Sequence, residues 1–182
     1  MNDLEQRAKI FATRVHTDAN QRRKYTHAPY IIHPAAVVEL VRIVPHTAEM
    51  IAAAWLHDTV EDTTTTLREI NQHFGDTVAS YVQMLTKVSR ENDGDREVRF
   101  QLDLVHISCA CPQVKTIKLA DIIDNSRNIA EYDPEFAKYY LVEKHRQLAV
   151  LRQGDKRLLR RAEDVIRLGL EEANRRLRQL KK

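Results

Sequence analysis

The stretch "AAAWLHDTVEDT", residues 52–63, sets a run of small and apolar residues directly against an imidazole and three carboxylates. At about 100° per residue, His57, Asp58, Glu61 and Asp62 fall within about 140° on one side of a helix. Ala52, Ala53, Leu56 and Val60 fall on the other side. The stretch therefore reads as part of a helix over about 48–61, with its back on a core and its front acidic. A charged helical face is ordinarily just solvated. Carboxylates crowded around a histidine, however, repel one another unless something positive sits among them.

Helical signals continue on both sides. Residues 3–18 carry Leu4, Ala8, Phe11 and Val15 at helical spacing. Pro34 suits the first turn of a helix over 35–44, and Pro45 ends it. "TLRE", residues 66–69, has capping-box spacing. Gly75 is placed to stop that helix, and Asp76 to cap the next one through Val78, Val82 and Leu85. After a polar loop, "SRENDGD" at 89–95, helices over about 96–109, 113–130, 134–152 and 156–180 complete the chain. Four glycines and five prolines in 182 residues leave little room for the tight turns of a sandwich or barrel. The expected fold is all-α: one compact multi-helix domain over 1–182, with no repeat, low-complexity tract or dividing linker.

Hydrophobic residues at 43% and charged residues at 30% are ordinary for a soluble chain. No stretch has the length to span a membrane, and residues 1–4 lead into a charged amphipathic segment with no apolar signal core. Cys109 and Cys111 form a C-x-C pair that closes a poor disulfide loop, so they read as two small buried residues in a reducing cytoplasm. The net charge of +3 is uneven: residues 152–182 carry +6 and the remainder −3. Leu158, Ala162, Val165, Ile166, Ala173, Leu177 and Leu180 form a helical stripe in that basic tail. Packing on the rest of the chain, or a subunit contact in a homo-oligomer, explains the tail more simply than nucleic acid does. No aromatic stacking surface accompanies the basic residues.

Two further segments bear on the acidic cluster. "PYIIHPAA" puts His33 at a helix start behind apolar residues that anchor it inside. "KTIKLADIIDNSRN" sets Asp121 among Ile117, Leu119, Ala120, Ile122 and Ile123, a helix buried nearly all round. An ionised carboxylate there is costly unless it is paired or binds a metal. Lys118 is one candidate partner, but it does not account for Asn125 and Asn128 along the same strip. Two imidazoles and two carboxylates, His33, His57, Asp58 and Asp121, make a reasonable ligand set for a divalent ion. Mixed nitrogen and hard oxygen donors suit Mn²⁺ or Fe²⁺ and are compatible with Co²⁺, Ni²⁺ or Zn²⁺. Glu61 and Asp62 would stay off the metal, near its water.

His33, His57-Asp58 and Asp121 resemble the H…HD…D pattern of the HD metal-dependent phosphohydrolases. "PYIIHP", "AAAWLHDTVEDTTTTLREI", "FGDTVASYVQMLTKV" and "VKTIKLADIIDNSRN" resemble more narrowly the hydrolase domain of the RelA/SpoT family, over about residues 5–150. The layout is similar to that family's stand-alone metazoan branch, without synthetase or regulatory domains. The resemblance implies an Mn²⁺-dependent enzyme that removes the 3′-pyrophosphate of nucleotide alarmones. It implies His33, His57, Asp58 and Asp121 as metal ligands and Glu61 and Asp62 as the catalytic pair. It further implies Arg23, Lys24, Asn125 and Asn128 as substrate contacts, although a slip to Arg22-Arg23 is open. The residue before the site asparagine, usually His or Tyr in the family, is here Asp124, an extra negative charge expected beside a phosphate. Other readings are an HD nucleotidase, a phosphatase acting on the 2′-phosphate of NADPH, and a nucleic-acid binder with a vestigial site.

Overall fold

Asp3 and Glu5 in the first turn and His16 in the last match the charge preference of a helix dipole. Helix α1 runs Asp3–Asp18. The computed structural model describes residues 3–180. Helix α2, Ile32–Arg42, carries Pro34 in its first turn, so it begins slightly before the predicted start. Helix α3, Ala48–Leu56, is capped by Thr47, whose hydroxyl accepts from the Met50 N–H at 3.3 Å. Met50 to Leu56 are all buried, because α3 packs against α1 and α2 and against two helices from later in the chain.

The helix expected through residue 61 stops at Leu56. The His57 imidazole bonds the Ala54 carbonyl at 2.8 Å, and the Thr59 hydroxyl donates to the Leu56 carbonyl at 2.7 Å. Side-chain donors thus occupy carbonyls that a continuing helix would give to backbone N–H groups. A one-turn helix α4, Thr59–Asp62, resumes beyond the break.

Helix α5, Leu67–Phe74, opens on the capping box, with the Thr66 hydroxyl on Glu69 N–H and the Glu69 carboxylate on Thr66 N–H. Gly75, at φ 86, closes α5 and directly precedes α6, Asp76–Leu85. Asp76 is therefore inside its helix and not its cap. Its carboxylate accepts from the Asn71 side chain at 2.6 Å.

Asp95 caps α7, Arg96–Ser108, through Val98 N–H at 3.0 Å. Helix α8, Pro112–Ser126, starts on proline and is buried nearly all round. It ends before the predicted 130 because Asn128 leaves the helical basin at φ −124, ψ 7; the short α9, Ile129–Tyr132, follows. Asp133 caps α10, Pro134–Leu148, and α11 runs Lys156–Leu180. Between them the chain turns close over α8. A Cβ on Gly154 would lie 2.8 Å from Leu119 Cδ1 and 3.1 Å from backbone atoms of Lys115 and Thr116.

Helices α3 and α8 lie at the centre, touching each other and both contacting α2 and α6. Helix α11 packs on α8, α9 and α10 through Leu158, Leu159, Ala162, Ile166, Gly169 and Ala173, while Leu180 at the end of its stripe is exposed. Among the described residues there is no strand, only an isolated bridge between Arg22 and Pro29, and no helix is long and apolar enough to cross a membrane. Cys109 is exposed and Cys111 half-buried, correcting the expectation that both are buried. Cys109 follows the last turn of α7, outside the packed interior.

Candidate active site

Three buried segments bring the predicted ligands together. The first turn of α2 carries His33, the break after α3 carries His57 and Asp58, and the middle of α8 carries Asp121. The two Nε2 atoms lie 3.3 Å apart. Asp58 Oδ2 is 3.0 Å from His57 Nε2 and 3.5 Å from His33 Nε2. Asp121 Oδ1 is 3.3 Å from His33 Nε2 and 3.8 Å from His57 Nε2.

The outer edges of the rings decide what the inner edges can be. His57 Nδ1 faces the Ala54 carbonyl, which can only accept, so that nitrogen carries the hydrogen. His33 Nδ1 faces Asp124 Oδ2 at 2.7 Å, with the same consequence. In their neutral forms both rings therefore aim a bare Nε2 lone pair at one point, where two carboxylates also converge. Acceptors crowded in this way need a cation or protons between them.

The titration behaviour follows. Burial works against charge on His33, but its bonds to Asp121 and Asp124 outweigh that and raise it to about 9. His57 is likewise raised despite burial, chiefly by the Asp58 charge. Asp58 and Asp121 would be raised by burial, but His57 in one case and Lys118 in the other hold them well below the carboxylate range. A divalent ion would replace those protons. His33, His57 and Asp58 offer ligand atoms all within 4.8 Å of one another. The donor set fits a divalent metal, with Asp121 alongside.

Neighbouring groups set the angles of these side chains. Tyr30, three residues before His33, donates to Asp58 Oδ2 at 2.5 Å. Asp121 receives Lys118 Nζ on one oxygen and the Asn125 amide on the other, each at 2.7 Å. Asp124, read from the sequence as a charge facing a phosphate, instead holds the His33 ring and lies 3.7 Å from Arg23.

Glu61 and Asp62 sit in α4, at the mouth of a cleft of about 650 Å³. Both Glu61 oxygens are engaged by Lys87, one by Nζ at 2.5 Å and one by the backbone N–H at 3.3 Å. Asp62 accepts from Gln21 Nε2 at 2.7 Å, and Gln21 in turn contacts the buried His16 ring at 2.6 Å. Desolvation and the Asp58 charge push the Asp62 carboxyl up.

Arg23, Lys24, Asn125 and Asn128 all line the cleft, as does Arg22. Arg23 donates to Asn125 Oδ1 at 3.0 Å, and Lys24 lies over the Tyr25 and Phe136 rings. Tyr30, Lys87, Tyr140 and Lys144 also border it and were not anticipated. Tyr30 carried a usable signal, one turn before His33. Lys87 lies 26 residues from Glu61, and no local pattern marks Lys87, Tyr140 or Lys144.

The HD-domain family profile matches residues 8–148. The human protein named guanosine-3′,5′-bis(diphosphate) 3′-pyrophosphohydrolase MESH1 is 37% identical over 134 residues, 70% of each chain. The zebrafish (Danio rerio) protein of the same name is 42% identical over 122 residues, 64% of each chain. An Aquifex aeolicus guanosine-3′,5′-bis(diphosphate) 3′-pyrophosphohydrolase is 37% identical over 133 residues, 73% of this chain and 19% of that protein. The chain thus spans less than a fifth of that relative's length. A solved structure described as "A metazoan ortholog of SpoT hydrolyzes ppGpp and plays a role in starvation responses" superimposes with a TM-score of 0.83. Its identity is 25%, over 93% of this chain and 98% of that one.

Proposed function

The chain belongs to the HD-domain family, in its RelA/SpoT-type hydrolase branch, and on that premise we propose that it hydrolyses the 3′-pyrophosphate of nucleotide alarmones. The products are inorganic pyrophosphate and a nucleoside 5′-di- or triphosphate. One observation carries the reading: two buried imidazoles, each fixed by its Nδ1 partner, direct their Nε2 atoms at one point beside Asp58 and Asp121. Those four side chains would hold one divalent ion, and the nitrogen and hard-oxygen mixture favours Mn²⁺. When bound, the ion supplies Lewis acidity toward a phosphoryl oxygen and acidifies water.

The chain's own groups do the rest. Asp62, with its pKa pushed up and one oxygen engaged by Gln21, is suited to take a proton from water. Glu61, with both oxygens engaged by Lys87, orients the mouth of the site. The water oxygen bonds to the phosphorus nearest the ribose, the bond to the ribose 3′-oxygen breaks, and that oxygen takes up a proton. Arg23 and Lys24 face the rest of the nucleotide, and Asn125 couples Arg23 to Asp121 through two hydrogen bonds.

Phosphorus NMR of the products from guanosine tetraphosphate and its adenosine counterpart, with Mn²⁺ present, tests the reading. Pyrophosphate is the expected first product, with the 5′-phosphates intact. Orthophosphate as the sole initial product, or turnover of NADPH alone, would overturn it.

A further inference from the structure

Three lysines from separate segments meet at one end of the cleft. Lys87 follows α6, Lys118 lies on α8 and Lys144 on α10, and all three also line a recess of about 280 Å³ behind the cleft. Lys118 is paired with Asp121 at 2.7 Å and Lys87 with Glu61 at 2.5 Å. Among the described residues Lys144 makes no ion pair. Its ammonium reaches only Gln147 Oε1 at 3.3 Å and the Tyr140 ring at 5.1 Å.

The acids nearby are already engaged. Glu143 is held bidentately by Arg96 at 2.5 and 2.9 Å. Asp103 accepts from Val88 N–H, Ser89 N–H and the Ser89 hydroxyl. Among the described residues Arg99, also in the recess, has only the Glu91 carbonyl at 3.5 Å. The recess therefore holds cations in excess of available carboxylates. A desolvated ammonium without a counter-ion is expensive, and a packing role alone would favour Met or Leu. Burial, followed by Lys118, lowers Lys144 to about 8, the behaviour of a cation short of a partner.

The position says which anion fits. A chain of contacts runs from Arg23 through Asn125 and Asp121 to Lys118, so Asp121 stands between the arginine and the lysine it pairs with, beside which Lys144 also lines the cleft. We propose that Lys144, supported by Lys87 and Lys118, forms an anion subsite for the distal phosphate of the diphosphate group, and retains pyrophosphate after cleavage. This rests on the pyrophosphohydrolase reading and adds the residue that separates a diphosphate from a monophosphate. Arg23 and Lys144 then grip opposite ends of the substrate, with the ligand cluster between them.

Calorimetric titration of inorganic pyrophosphate and of inorganic phosphate into Mn²⁺-loaded protein, with free ion dialysed away, tests the subsite. Lys144→Met is expected to weaken pyrophosphate roughly tenfold or more, the loss of a charge-assisted bond. Orthophosphate binding should stay within about twofold of wild type, since it needs only the metal end. Lys144→Arg should restore most of the difference. No pyrophosphate binding by wild type, equal affinities in wild type and Lys144→Met, or equal weakening of both anions would each overturn the subsite. Product analysis separates it from the functional reading. Lys144-dependent pyrophosphate binding without alarmone cleavage would remove the activity and keep the subsite. Alarmone cleavage with Lys144-independent binding would do the reverse.

Discussion

His33 Nδ1 lies 2.7 Å from Asp124 Oδ2, joining the first turn of α2 to the end of α8 across 91 residues of sequence. The same oxygen is 3.7 Å from Arg23, so one carboxylate holds a ring of the proposed metal cluster and faces a cation proposed to meet substrate. A carboxylate behind a ligating imidazole fixes its tautomer and raises its basicity. Asp124→Ala is expected to weaken metal binding about 10–100-fold, with Asp124→Asn intermediate because its amide oxygen can still accept. Equilibrium dialysis against Mn²⁺ reads this directly. Unchanged affinity in Asp124→Ala would remove the role. Asp121→Ala, by contrast, should lose stoichiometric metal altogether while remaining folded.

The two acids of α4 should separate from the ligands in their effects. Glu61→Gln and Asp62→Asn are expected to retain the metal yet lose at least tenfold in kcat, about 1.4 kcal/mol in the barrier. The Asp62 change should be the larger, because Asp62 has the raised pKa and the less occupied carboxylate. Elemental analysis alongside turnover distinguishes the cases. Wild-type rates in both variants would mean that another group activates the water.

Lys144 should cost stability in the metal-free protein at neutral pH. The unfolded chain binds its proton up to the ordinary lysine pKa, whereas the folded chain releases it from about 8. Stability therefore rises with pH between those values. Burial and then Lys118 oppose the charge most, Asp121 partly offsets them, and Lys87 and Glu143 act more weakly in opposite directions. Lys144→Met is expected to stabilise the protein at pH 7 on the order of 1–3 kcal/mol. Each kcal/mol corresponds to roughly 2–4 °C in Tm at this chain length. The advantage should shrink as pH climbs above 8. A melting point for Lys144→Met below wild type at pH 7 would contradict the assignment of Lys144 as an uncompensated cation.

Gly154→Ala should destabilise the turn before α11. The added Cβ meets Leu119 Cδ1 at 2.8 Å and backbone atoms of Lys115 and Thr116 at 3.1 Å. Overpacking of this kind typically costs about 1–3 kcal/mol. In a Leu119→Ala background the cost should fall without vanishing, since the backbone contacts remain. Urea midpoints of the four proteins in that cycle check it, and an unchanged midpoint for Gly154→Ala would show that the turn can lift off α8.

Much of the fold could be read locally, because helix signals are local. The Thr66–Glu69 capping box and Pro34 in the first turn of α2 rest on residues within one turn of each other. The four expected ligands stood out for a related reason: Asp121 is an acid in an apolar helix, His57-Asp58 abuts a buried one, and His33 follows apolar residues at a helix start. The break at Leu56 was not visible. It depends on the His57 and Thr59 side chains turning back onto the carbonyls of α3, which a helical wheel cannot represent.

By itself, then, the sequence determined an all-helical chain, most of its longer helices, and a cluster of imidazole and carboxylate groups in need of a cation. Periodicity, capping and the cost of burying charge all act within a few residues or on residue type alone. Only the tertiary structure decided which partner each of those groups has. Tyr30 reached Asp58, Asp124 reached His33, Lys87 reached Glu61, and Lys144 was left without an acid. Helices distant in sequence pack side by side, so the pairing of their side chains is set by the apolar faces that hold α2, α3, α8 and α10 in register. The charges at the site inherit their neighbours from that packing.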